Sequence, residues 1–265
     1  MDTIWLICAL TLIIHTTETL SYALRFAGVL SGRFAVALSL SGIILLISRT
    51  SNLMQAPFTG GLIDQAAIHQ TDPTGKLRMI IAAASLGTLA AILLFPTVVQ
   101  ISKRLISHLE LAGSIPKMIR SAVTVQTIRR ARHHVRWPKL SSLSRFRIRG
   151  VPKRLLLLNM LGTAIYTTSV LSVLYATLLA PGYQATVLMS SGLINGFATI
   201  FMTLLVDPQV AVLTDKALLG KTSQESIRQM YFWLMVSRFF GTLLAQLLLI
   251  PAAHWVAWLA PFFQS

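Results

Sequence analysis

The sequence predicts an all-α, polytopic membrane protein with about six transmembrane helices and a basic cytoplasmic connector. Three observations predict it. Of 265 residues, 54% are hydrophobic and only 12% charged, a bias far from that of an aqueous domain. The hydrophobic positions gather into six blocks, at 3–24, 34–56, 77–101, 155–180, 185–206 and 229–258, each long enough to cross ~30 Å of hydrocarbon as a helix. The blocks are continuous, without the alternation that a strand-built membrane barrel requires.

Charge distribution orients the spans. Between Lys103 and Arg154 stand 14 Lys or Arg against the single acid Glu110, so most of the net charge of +15 lies in one connector. The positive-inside rule places that connector in the cytoplasm and both termini outside. The inside then holds 19 basic residues, including Arg25, Arg33, Lys216, Lys221 and Arg228, against Lys76 and Arg78 outside. Three units follow: helices 1–3 over 1–102, the connector over 103–154, and helices 4–6 over 155–265.

The first block has Asp2 and no Lys or Arg ahead of its apolar core, unlike a secretory signal, and is expected to remain as a helix. Along it Thr11, His15, Glu18, Tyr22 and Arg25 recur at four, three, four and three, one polar stripe on an otherwise apolar helix. Such a stripe faces protein or water. His15 and Glu18, three apart in a medium that penalises charge, are candidates for proton coupling or gating. The single Cys8 lies within this block and can form no disulfide within the chain.

The second block carries Arg49 near its end, where an arginine costs about 2.5 to 3.5 kcal/mol unless it faces protein, water or an anion. Ser48, Asn52 and Gln55 share a stripe with Arg49 at its edge, and Pro57 is expected to end the helix. The connector 57–76, rich in Gly and Asp, reads as a turn, a short helix over 62–69 and a second turn. The third block is rich in small residues, Ala82 to Ala84, Gly87 and Ala91 among them, which permit close helix approach.

Within the basic connector Leu111, Ile115, Met118, Ala122 and Val125 repeat at four and three, the pattern of an interfacial amphipathic helix. Anionic phospholipids of the inner leaflet are its expected partners. Nucleic acid is not, because no recognition motif accompanies the charge.

The fourth block puts Asn159, Gly162, Tyr166 and Ser169 on one face, and the fifth does the same with Ser191, Asn195 and Ala198. Gly192 and Gly196 form a GxxxG pair that suggests a helix contact. Asp207 and Pro208 are expected to close this span at the inner edge, with Asp215 beyond a turn. The last block carries Arg238 about three turns in.

Ordered by depth, the polar residues form a series: Asp207 and Glu18 inside, His15, Asn195 and Arg238 near the middle, Arg49 with Asn52 and Gln55 in the outer half. A polar path across the membrane is expected. Arg49 and Arg238 are candidates for binding an anionic headgroup through forked hydrogen bonds, and Asn52, Gln55 and Asn195 for its neutral groups. The structural alternative is an Arg49–Glu18 pair.

The runs IIHTTETLSYALRFAGV (13–29), LSLSGIILLISRTSNLMQAPFTG (38–60), DPQVAVLTDKALLGK (207–221) and SRFFGTLLAQLLLIPAA (237–253) resemble the bacterial Amj family, the alternate lipid II flippases. The resemblance implies a multi-pass plasma-membrane protein that moves the undecaprenyl-diphosphate-linked peptidoglycan precursor, lipid II, from the inner to the outer leaflet. It implies no cofactor, and no functional residue is carried over from it. A non-transporting regulator of wall synthesis is one alternative. A polyprenyl-phosphate enzyme is another, but it would need an acidic metal cluster where the sequence offers only Asp207 and Asp215; neither a metal nor an enzyme is expected. Six helices without an internal repeat make a homodimer plausible.

Overall fold

The computed structural model describes residues 3–112 and 151–263, and among them every regular element is helical. α1 spans Thr3–Leu30, α2 Phe34–His69, α3 Thr74–Ala112 and α4 Lys153–Leu179. After a 3-10 turn at Pro181–Tyr183 come α5, Gln184–Phe201, a π turn at Met202–Val206, and α6, Asp207–Leu218. α7 runs over Gln224–Leu259. α5, the π turn and α6 make one continuous span, so six helices are long and apolar enough to cross a membrane.

Three helices outrun their expected ends. α2 continues through Pro57 to His69, merging the expected turn and short helix into one rod. Pro57 lies on the exposed face, so its ring meets no neighbouring helix, and a membrane helix loses only one bond of its ladder there. Gln70, in the left-handed conformation at φ 49°, ends it by donating to the Ala66 and Ala67 carbonyls. The fifth span likewise passes through Asp207 and Pro208, because a proline in the first turn of α6 needs no N–H partner. α3 reaches Ala112, and the expected amphipathic helix beyond it lies outside the described residues.

α1 packs against both α2 and α3, while α4 packs against α7 and α5, and α7 joins the two groups through α1 and α3. Small residues set the closest approaches. A Cβ at Gly87 would lie 2.5 Å from the Leu12 carbonyl oxygen, and one at Gly241 would lie 2.6 Å from that of Met160. The expected glycine contact at Gly192 and Gly196 is not made among the described residues: a Cβ at either would meet nothing within 4 Å.

The core divides along the bundle axis. At the end where α1 and α3 finish, Tyr22, Phe26, Phe95, Tyr231 and Leu234 form the larger apolar cluster. Toward the other end Ile7, Ile63, Leu77, Ile80 and Leu249 form a second. Glu18, Arg238, His15 and Asn195 lie between the two.

Candidate functional site

One carboxylate organises the middle of the bundle. Glu18 of α1 accepts through Oε2 from Arg238 Nη2 of α7 at 2.8 Å, and through Oε1 from Ser48 Oγ of α2 at 2.8 Å and Tyr166 OH of α4 at 3.4 Å. The two charged side chains are only 13% and 11% exposed. Four helices are thereby tied at one level. An ion pair at this depth is tolerated because each charge neutralises the other and hydroxyls satisfy the remaining lone pairs.

The structural alternative, an Arg49–Glu18 pair, does not form among the described residues; Arg238 occupies that place. Nor is Arg49 in a separate outer tier, since its neighbour Ser48 bonds to Glu18 directly. Arg49 is exposed and has no ion-pair partner among the described residues. Spacing put Thr11, His15 and Tyr22 on one face of α1 and all three are buried, whereas Asn52, on the polar stripe of α2, is exposed. Depth was misjudged because it was counted from assumed helix ends, and those ends moved.

A turn of α1 away, toward the smaller cluster, lies a cavity of about 120 Å³. Its polar lining includes His15 of α1, Asn52 and Gln55 of α2, Tyr166 and Ser169 of α4, and Asn195 of α5. His15 is 5% exposed and its Nδ1 has no hydrogen-bond partner. Ser169 Oγ donates to Asn195 Oδ1 at 2.6 Å, so one wall of the cavity is held by a bond between α4 and α5. Asn52 is exposed as well as cavity-lining, which puts the mouth on the lateral face of α2, close to Arg49.

On the other side of Glu18 stands a third polar layer. Tyr22 OH donates to Asn159 Oδ1 at 3.2 Å, and Asn159 Nδ2 donates to Ser237 Oγ at 2.6 Å and the Leu234 carbonyl at 2.9 Å. Asn159 is fully buried. Its partners use both amide N–H groups and one lone pair of Oδ1, all within the bundle, which is the pattern of a structural layer. Ser237 gave no signal in the sequence; Tyr166 and Asn159 did, by sharing a helical face.

The polar path expected to cross the membrane is interrupted. Tyr22, Phe26 and Tyr231 close it at one end, and Ile7, Ile80 and Leu249 at the other. His15, Asn52, Gln55 and Asn195 do come together, with Glu18 and Arg238 one layer away. Asp207 and Asp215 do not join them. Both are exposed on α6, separated by two helical turns and not by a loop, and among the described residues no three His, Cys, Asp or Glu converge as a metal site would require.

The family model described as Amj, "Alternate to MurJ", matches residues 10–260. The curated "Lipid II flippase Amj" of Bacillus subtilis (strain 168) is 43% identical over 254 residues, covering 95% of this chain and 94% of that protein. No solved structure matches.

Proposed function

The chain belongs to the Amj family, and from that premise we propose that it is a lipid II flippase of the bacterial plasma membrane. It carries the undecaprenyl-diphosphate-linked precursor from the inner to the outer leaflet, without a cofactor and without covalent change. The observation that carries this reading is the mid-depth cavity with its lateral mouth. A lipid whose head must cross hydrocarbon while its tail stays in it needs polar groups at that depth, reachable from the side.

Arg49 binds the diphosphate. It is the charged group at the mouth, exposed and unpaired among the described residues, and its planar fork matches phosphate oxygens. Asn52, Gln55 and Asn195 bind neutral groups of the head. Arg238 is engaged by Glu18 in this conformation, so its part in holding the diphosphate requires that pair to open. Glu18, with His15 one turn away, gates that step or couples it to a proton. Asp207 and Asp215 lie at the inner edge, the basic connector is cytoplasmic beside anionic phospholipids, both termini are external, and two copies form the working unit.

The test is leaflet transfer of fluorescent lipid II in proteoliposomes holding only the purified protein, beside protein-free vesicles and the Arg49→Ala variant. Transfer by the wild type and its loss in the variant are expected. No transfer by folded wild type, inserted in either orientation and with a proton gradient imposed, overturns the reading.

A further inference from the structure

The cavity around His15 has a chemistry of its own. Its polar lining is neutral: Thr11, Asn52, Gln55, Thr167, Ser169 and Asn195 offer hydroxyls and amides, and none of its lining residues is an Asp, Glu, Lys or Arg. The nearest buried charges, Glu18 and Arg238, cancel each other at 2.8 Å. At about 120 Å³ the space equals the liquid share of about four waters, enough for one small polar group and far too small for a sugar–peptide head. Within it the imidazole Nδ1 of His15 is buried, unpartnered and facing the space, while Asn195 has its oxygen taken by Ser169 and its amide N–H groups left to donate. A buried polar atom without a partner is rare, and His15 Nδ1 is one on a residue that lines this cavity.

Resting on the flippase reading, we propose that this cavity is a subsite for one uncharged amide or hydroxyl group of the transported head, with His15 as the specificity-determining residue. The amino-sugar acetamido groups and peptide amides of a peptidoglycan precursor have the required chemistry. Charge is sorted by position: the diphosphate stays with Arg49 at the mouth, and only a neutral group enters. A charged group in the same place would lose its water without gaining a counter-ion.

Two lipids test it, lipid II and an analogue in which sugar acetamido groups are replaced by free ammonium groups. Transfer of lipid II should exceed that of the analogue by about tenfold or more, since a site built to hydrogen-bond one group rejects another that leaves it unpaired. His15→Leu should remove the preference, and His15→Gln, which retains a hydrogen-bonding end, should keep most of it. Thermal unfolding with each lipid present reads binding apart from transport. Stabilisation by lipid II over the analogue, lost in His15→Leu, supports the subsite even if no lipid is moved, in which case the flippase reading alone fails. Equal handling of both lipids by the wild type, or a preference unchanged in a folded His15→Leu protein, means a cavity for water only and overturns the proposal.

A separate set of observations concerns α5. It is fixed at both ends, by Val187 in a small cluster with Val173 and Val256 and by Val206 in the main cluster, yet between them only Ala198 is buried. A joint lies at each end: the 3-10 turn at Pro181–Tyr183 and the π turn at Met202–Val206, a wide turn of a kind found where helices bend. Behind α5, on the side away from His15, an apolar cleft of about 630 Å³ separates Leu193 and Phe197 from Leu248 and Trp255 of α7. A strap with two joints, one side-chain latch and an apolar cleft behind it can move without breaking a packed core. We infer that α5 is the lateral gate of the cavity, latched by Ser169–Asn195 and opening into the apolar cleft.

Spin labels at Leu53 of α2 and Met189 of α5, both facing outward, in a Cys8→Ser background measure the gap. The distance distribution should lengthen on adding lipid II and in Asn195→Ala without lipid. One unchanged distance under all three conditions overturns the gate, whether or not the protein transports.

Discussion

The Arg238 guanidinium donates to the Glu18 carboxylate at 2.8 Å, and the other oxygen of that carboxylate is held by Ser48 and Tyr166. Removing either charge strands the other, at about 3 to 5 kcal/mol for a buried pair. Glu18→Gln and Arg238→Gln should each lower the unfolding temperature in mild detergent. The exchange Glu18→Arg with Arg238→Glu should recover only part of the loss, because Ser48 and Tyr166, spaced to donate to a carboxylate, would meet a longer guanidinium and have to turn to accept from it. Full recovery would show that the hydroxyls contribute nothing.

Glycines at helix contacts should be sharply unequal. Gly87→Ala and Gly241→Ala drive a methyl against backbone oxygens at 2.5 and 2.6 Å, which cannot rotate away, and each should destabilise by about 1 to 3 kcal/mol. Gly192→Ala and Gly196→Ala meet open space and should leave thermal unfolding unchanged or raise it slightly, alanine being the better helix former. Loss of stability at Gly192 or Gly196 would instead point to a helix contact on that face, as between two copies.

Asn159 is a test of the structural layer. Asn159→Ala leaves Tyr22, Ser237 and a main-chain carbonyl short of a partner and should cost about 1 to 3 kcal/mol. Asn159→Asp should be worse, since a carboxylate cannot donate to Ser237 or Leu234 and is charged besides. Thermal unfolding ranks the two.

The sequence reached the fold class through block length and the buried stripe of α1 through spacing, because both follow from one helix considered alone. Thr11, His15 and Tyr22 are buried as their shared face requires. Which partner meets Glu18 is a different kind of fact. Arg49 and Arg238 are both arginines within spans, and the choice between them depends on how α2 and α7 sit about α1, which no single-helix pattern contains. Helix ends failed for a local reason: Pro57, Asp207 and Pro208 are strong stop signals in water, but in these spans the helix runs on past them, with Pro57 on an open face and Pro208 in a first turn.

Arg49 should separate function from stability. Being exposed and unpaired among the described residues, it can be changed to Lys with stability held within about 0.5 kcal/mol. Lipid II transfer should still fall, because an ammonium keeps the charge but not the planar fork. Equal transfer by Arg49→Lys would reduce the role of Arg49 to charge alone.

Between α2 and α3 the Asp72 carboxylate accepts from the Thr74 hydroxyl at 2.6 Å and the Thr74 N–H at 2.9 Å, which holds its pKa below the ordinary aspartate value. A depressed carboxylate stabilises the fold above its unfolded pKa, and the contribution is lost as pH falls through the folded one. Protection of the amides at the start of α3, taken relative to the intrinsic exchange rate at each pH, should therefore fall on acidification below the usual aspartate range. Asp72→Ala should exchange fast at every pH.

α1 is the first of these helices to leave the ribosome, and it is the one whose charge is satisfied last. Arg238 follows Glu18 by 220 residues, which at ordinary synthesis rates means roughly ten to forty seconds. For that interval the growing chain holds an acid at membrane depth, with Ser48 and Tyr166 arriving before the guanidinium that pairs with it. A chain interrupted before α7 is inserted therefore lacks the guanidinium that pairs with Glu18 and leaves that acid with hydroxyl partners alone.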